Sequence, residues 1–71
     1  MKVKELIKIL KKYDPESDVS VTWEGVQRII DKSNIYLGAD MYGGVMKPFL
    51  FIDGDNNFYK KEFQDNLRKL K

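Results

Sequence analysis

The chain has no cysteine and no histidine. Without thiols it forms no disulfide. Without either residue it lacks the usual ligands of zinc and the side chain best suited to proton transfer near neutral pH. No stretch approaches the ~18 consecutive apolar residues of a membrane-spanning helix. The lysines near the start are not followed by an apolar signal-peptide core, so the expected location is the cytoplasm. Glycine is sparse, with five in the chain, and Gly43-Gly44 alone is no phosphate-cradling loop. No cofactor is expected.

Catalysis has little to draw on. Seven of the eleven acids cluster in turn-like segments: Asp14, Glu16, Asp18, Glu24, Asp40, Asp53 and Asp55. Turn carboxylates are solvated, whereas acid–base work near neutral pH calls for a carboxyl group raised by burial. No catalytic residue is named, and a non-enzymatic protein is the expectation.

What is present is enough for one small domain, residues 1–71. Hydrophobic residues make up 42% of the sequence, and nine residues are aromatic. A chain of this length buries only about 60% of the surface its unfolded form exposes, so few side chains carry the core. The net charge is +2, but it is unevenly spread. Residues 1–13 carry +4, residues 14–57 carry −5 and residues 58–71 carry +3. Such asymmetry speaks to partners rather than to fold.

Val3, Leu6, Ile7 and Leu10 recur at helical spacing, which predicts an amphipathic helix over 3–13, ended by Asp14-Pro15. Val19, Val21 and Trp23 alternate with Ser20 and Thr22 as in a half-buried strand. Glu24-Gly25 reads as a hairpin tip, and Val26 to Ile30 as the returning strand. Ile35 to Leu37 reads as a short strand or its continuation. Gly38 to Gly44, with three glycines, reads as a loop that displays Met41 and Tyr42. Residues 48–52 are all apolar, so both faces of that strand need cover. A second helix is expected over 58–70, with Tyr59, Phe63, Leu67 and Leu70 as its stripe and Asp55, Asn56 or Asn57 as its cap. The expected fold is α+β: an antiparallel sheet of three to four strands packed against an N-terminal and a C-terminal helix. Val3, Leu6, Leu10, Phe63, Leu67 and Leu70 should meet on the face carrying Val19, Val21 and Trp23.

The segment from Lys4 to Val21, KELIKILKKYDPESDVSV, with the strand and turn after it, resembles a broad group of small phage- and prophage-encoded proteins. These open with a helix of the form ELIxxLxKYDP followed by a strand. The resemblance covers roughly the first third of the chain. Most of that group has no assigned activity. The resemblance implies a phage or mobile-element origin, a place in the cytoplasm of a bacterial host cell and a short accessory protein. Some accessory phage proteins of this size inhibit host defence or host enzymes by binding them. The resemblance carries no catalytic residue over, because the matching positions form a helix face, a turn and a strand.

Asp53, Asp55 and Asn57 match the first ligand positions of a calcium loop. Phe58 and Gln64 stand where that loop needs glycine and a bidentate glutamate. The segment is therefore read as a turn, and no metal site is expected. Two binding modes remain open. Met41, Tyr42, Tyr36 and Met46 are the candidate contacts to a partner protein or to a second copy of the chain, since aromatics and methionine are enriched at such surfaces. Lys4, Lys8, Lys11, Lys12, Lys60 and Lys61 are the candidate basic face for a nucleic acid or nucleotide.

Overall fold

A computed structural model describes residues 1–70. The chain runs through helix α1 (Val3–Leu10), strands β1 (Ser20–Trp23) and β2 (Val26–Ile29), a single 3₁₀ turn (Lys32–Asn34), strands β3 (Ile35–Tyr42) and β4 (Val45–Ile52), and helix α2 (Lys60–Lys69). This is the expected α+β arrangement of two terminal helices and four antiparallel strands. The strands form two separate two-stranded ladders, β1–β2 and β3–β4.

Both hairpins turn on two residues with positive φ. Glu24 and Gly25 lie at 48° and 80°, Gly43 and Gly44 at 61° and 79°. Two-residue turns of that hand match the twist of the strands they join. The β3–β4 ladder is the longer one, pairing Ile35 with Ile52 through to Tyr42 with Val45. The loop expected over Gly38 to Gly44 is therefore mostly strand. Only its last two glycines turn.

Gly38 lies inside the strand because α2 comes too close for a side chain. A Cβ built on Gly38 would stand 2.8 Å from Phe63 Cβ and 3.0 Å from the Phe51 ring. A glycine within a strand often marks such an approach.

Side chains alternate across a strand, so the register sorts the β3–β4 ribbon into two faces. The inner face carries Tyr36, Gly38, Phe49 and Phe51 and receives α2. There Phe63 stacks on Phe51 with ring centroids 4.5 Å apart and planes 10° from parallel. Asn66 donates to the carbonyl of Ala39 at 3.1 Å, tying α2 to backbone that β4 leaves unpaired. The outer face carries Ile35, Leu37, Ala39, Met41, Met46, Pro48, Leu50 and Ile52. The start of α1 lies against part of it, where Met1, Val3 and Leu6 border a cleft with Leu50 and Ile52; Leu67 and Arg68 of α2 border Leu37, and Ala39 is fully buried.

The core is thus smaller than the periodicity implies. Among the described residues, Tyr36, Gly38 and Ala39 alone are buried. The two helical stripes do not meet. α2 packs on β3, and α1 has no buried residue. Val3, Leu10, Val19, Trp23 and Leu70, expected to be covered, are exposed. The reason lies in the connections. Separate hairpins offer no single face wide enough for both helices, so the helices take opposite sides of the β3–β4 ribbon.

The cap of α2 also differs from expectation. Tyr59 holds the N-cap position without a side-chain hydrogen bond. Asn56 and Asn57 instead take left-handed backbone conformations at 54° and 59°. Asn57 accepts from the Asn34 side chain at 3.2 Å, which ties this loop to the 3₁₀ turn.

Candidate functional site

Where the β1–β2 hairpin meets the end of β4, the chain leaves an open groove of about 600 Å³. Five aromatics line it: Trp23 from β1, Tyr36 from β3, Phe51 from β4, and Tyr59 and Phe63 from the start of α2. Val21, Thr22, Asp53 and Asp55 complete the walls. The volume lies within the range of about 300–1,000 Å³ usual for ligand sites.

Each wall has a local cause. Val21 and Trp23 are two apart on a strand and so face the same way. Gly54 lets the hairpin dock, because a Cβ built there would stand 3.1 Å from Val21 Cγ1. Asp53 braces the loop from both sides. Its Oδ2 accepts from the Tyr36 hydroxyl at 2.8 Å, and its Oδ1 accepts from the Asp55 backbone N–H at 2.6 Å. Lys60 holds the opposite edge: its ammonium donates to the Ser33 carbonyl at 2.6 Å and lies 5.1 Å from the centre of the Tyr36 ring.

Tyr36 is 7% exposed, the floor of the groove rather than a surface contact. Burial first, then the hydrogen bond to Asp53 and that carboxylate's charge, push its phenol well above the ordinary tyrosine range. Trp23 and Tyr59, by contrast, are 59% and 48% exposed and form the accessible rim. Arg28, opposite Val21 in the hairpin register, runs beside Gly54, and its Nε is buried without a hydrogen-bond partner among the described residues.

The four residues expected to contact a partner are parted by the register. Met41 and Met46 are cross-strand partners on the outer face of the ribbon. Tyr42 lies on the inner side, its ring edge-on to Phe49 at 6.1 Å with the Lys47 ammonium 5.6 Å from its centre. Tyr36 is in the core.

The lysines expected to form one basic face are parted as well. Lys4, Lys8, Lys11 and Lys12 lie on or just after α1, on the outer side of the ribbon. Lys60 and Lys61 lie on α2, on the inner side. Lys60 is engaged with Ser33, and Lys61 pairs with Asp65 at 3.0 Å. Asp65 also accepts from Arg68 at 2.9 Å, and the hydrogen bond from Lys61 is the main cause of its lowered pKa.

No local signal in the sequence marks the groove. Trp23 and Phe63 are forty residues apart in number, and only the docking of the first hairpin brings them to one cavity. The loop that resembled a calcium site is a groove wall. No cluster of three or more metal-ligating side chains occurs among the described residues. No helix there is long and apolar enough to cross a membrane. Compared with protein-family models, curated proteins and solved structures, the chain has no significant match.

Proposed function

We propose that this protein is a non-enzymatic binding module that grips a segment of another protein in its aromatic groove. The observation that carries the reading is the groove itself, five aromatics around about 600 Å³ with an exposed Trp23–Tyr59 rim. Rigid aromatic rings give large apolar contact at low cost in conformational entropy, and they dominate the energetics of protein interfaces. Thr22, Asp53 and Asp55 supply a polar edge to such a site. The titratable group held furthest from its ordinary range, Tyr36, keeps its proton more tightly and so is poorly suited to proton transfer near neutral pH. The resemblance of residues 4–21 to phage accessory proteins agrees with a partner that is a host or phage protein.

The nucleic-acid reading is the weaker one. Two carboxylates stand at the groove and repel phosphate, and the lysines lie on opposite sides of the ribbon. The test is selection of peptides from a displayed library, followed by titration against the purified protein with Trp23 fluorescence as the signal. Selected peptides are expected to bind Trp23→Ala and Tyr59→Ala at least tenfold more weakly, with both variants melting near the parent temperature. Equal binding to parent and variants excludes the groove. Binding of a generic oligonucleotide that weakens steeply with salt, with no peptide selected, favours the nucleic-acid reading.

A further inference from the structure

We infer that two copies of this chain associate through the outer face of the β3–β4 ribbon, on the side away from the groove. That face is made of Ile35, Leu37, Ala39, Met41, Met46, Pro48, Leu50 and Ile52, apolar at every position, with Ala39 already buried within the chain and Ile52 also bordering the groove at one end. The charged pair of the ribbon, Asp40 opposite Lys47, stands on the inner side. No charged side chain stands within the face itself; Lys2 lies beside Ile52, Arg68 beside Leu37, and the lysines of α1 flank it on the same side of the ribbon. Leu37 is 62% exposed and Met41 56%. An uncharged apolar centre with a charged rim is the anatomy of a protein interface.

The surface area points to an occupant of this size. The chain exposes 6356 Å². A folded monomer of 8.4 kDa is expected to expose about 4,600 Å². The excess is about 1,700 Å² per chain. If each of two copies hides only half of it, the interface buries about 1,700 Å² in total, the size of a stable complex.

A second copy fits better than an occasional partner because the need for cover is permanent. An isolated two-stranded ladder is marginal in water, and an eight-residue helix does not stand alone. The chain itself is the one partner present whenever the chain is. The pairing shares only Ile52 with the groove and leaves its Trp23–Tyr59 rim free on each copy, so it does not rest on the binding reading above.

Sedimentation equilibrium of the parent protein is the first test, with a dimer expected. Its melting temperature should rise with protein concentration over about a hundredfold range, as linked association requires. Leu37→Lys and Met41→Lys should abolish that dependence, whether the variants stay folded or not. Ile29→Lys, at a residue 87% exposed on the first hairpin, should leave it unchanged. The absence of native cysteine gives a check that needs no destabilised variant. Met41→Cys should be joined into a covalent dimer by a short bis-maleimide, and Ile29→Cys should not. A parent protein that sediments as a folded monomer at every concentration overturns the inference, whether α1 or a foreign partner then covers the face. So does cross-linking at position 29 in place of 41.

Discussion

At the scale of single residues, Gly38 and Tyr36 fix the one well-packed contact in the molecule. The Cβ of Gly38→Ala meets Phe63 Cβ, an atom that rotation about χ1 leaves in place. The helix itself must shift. Overpacking of this kind costs about 1–3 kcal/mol, which urea denaturation will read as a lower midpoint at unchanged slope. Tyr36 acts through its hydroxyl. Tyr36→Phe removes the donor to Asp53 and is expected to cost about 1 kcal/mol at neutral pH.

The alkaline side gives a sharper test of Tyr36. Its phenol is raised in the folded state, so the linked stability is fully present below the ordinary tyrosine pKa of about 10 and is lost as pH rises beyond it. The gap in urea midpoint between parent and Tyr36→Phe should therefore narrow from pH 8 to about pH 11. A constant gap would mean that Tyr36 titrates alike in folded and unfolded chains.

At the scale of elements, the two helices are held very differently. α2 is anchored by Phe63 stacked on Phe51 and by Asn66 on the β3 backbone. Phe63→Ala should cost about 3 kcal/mol, at the lower end for loss of a packed phenylalanine because the site is only partly buried. Phe58→Ala, five residues earlier at a position 75% exposed, should stay within about 0.5 kcal/mol of the parent. Thermal melts of the pair compare the same substitution at a packed helix position and at an exposed turn position. The surface pairs of α2, Lys61–Asp65 and Arg68–Asp65, add little by comparison, since exposed ion pairs contribute about 0–1 kcal/mol.

At the scale of the whole molecule, the β3–β4 ribbon separates two surfaces of different chemistry. One side holds α2 and the aromatic groove with its carboxylates. The other holds the uncharged face and the lysine-bearing α1. A strong non-specific grip on nucleic acid draws on many lysines converging on one surface. This division works against that. Binding to a duplex oligonucleotide, followed by fluorescence anisotropy, is expected to be weak at low salt and absent near physiological salt. The removal of Lys60 and Lys61 should not change it, since both are engaged within the chain.

Elements whose signal is local were legible in the sequence. The stripe of Val3, Leu6, Ile7 and Leu10, the alternation of Val19, Val21 and Trp23, and the Glu24-Gly25 turn each lie within a few residues, and local backbone preference decides them. Gly38 was not legible in that way. Read locally it prolongs a glycine-rich loop, but its place in β3 depends on Phe63, far along the chain. Met41 and Tyr42 look like loop neighbours in sequence, and the strand sends them to opposite faces. The groove and the split of the lysines arise the same way, from which face of which ladder each helix meets. A sequence of this length determines periodicity, turn positions and the apolar inventory. The partners of each apolar face were settled only by the tertiary structure, because burial is a property of distant segments brought together.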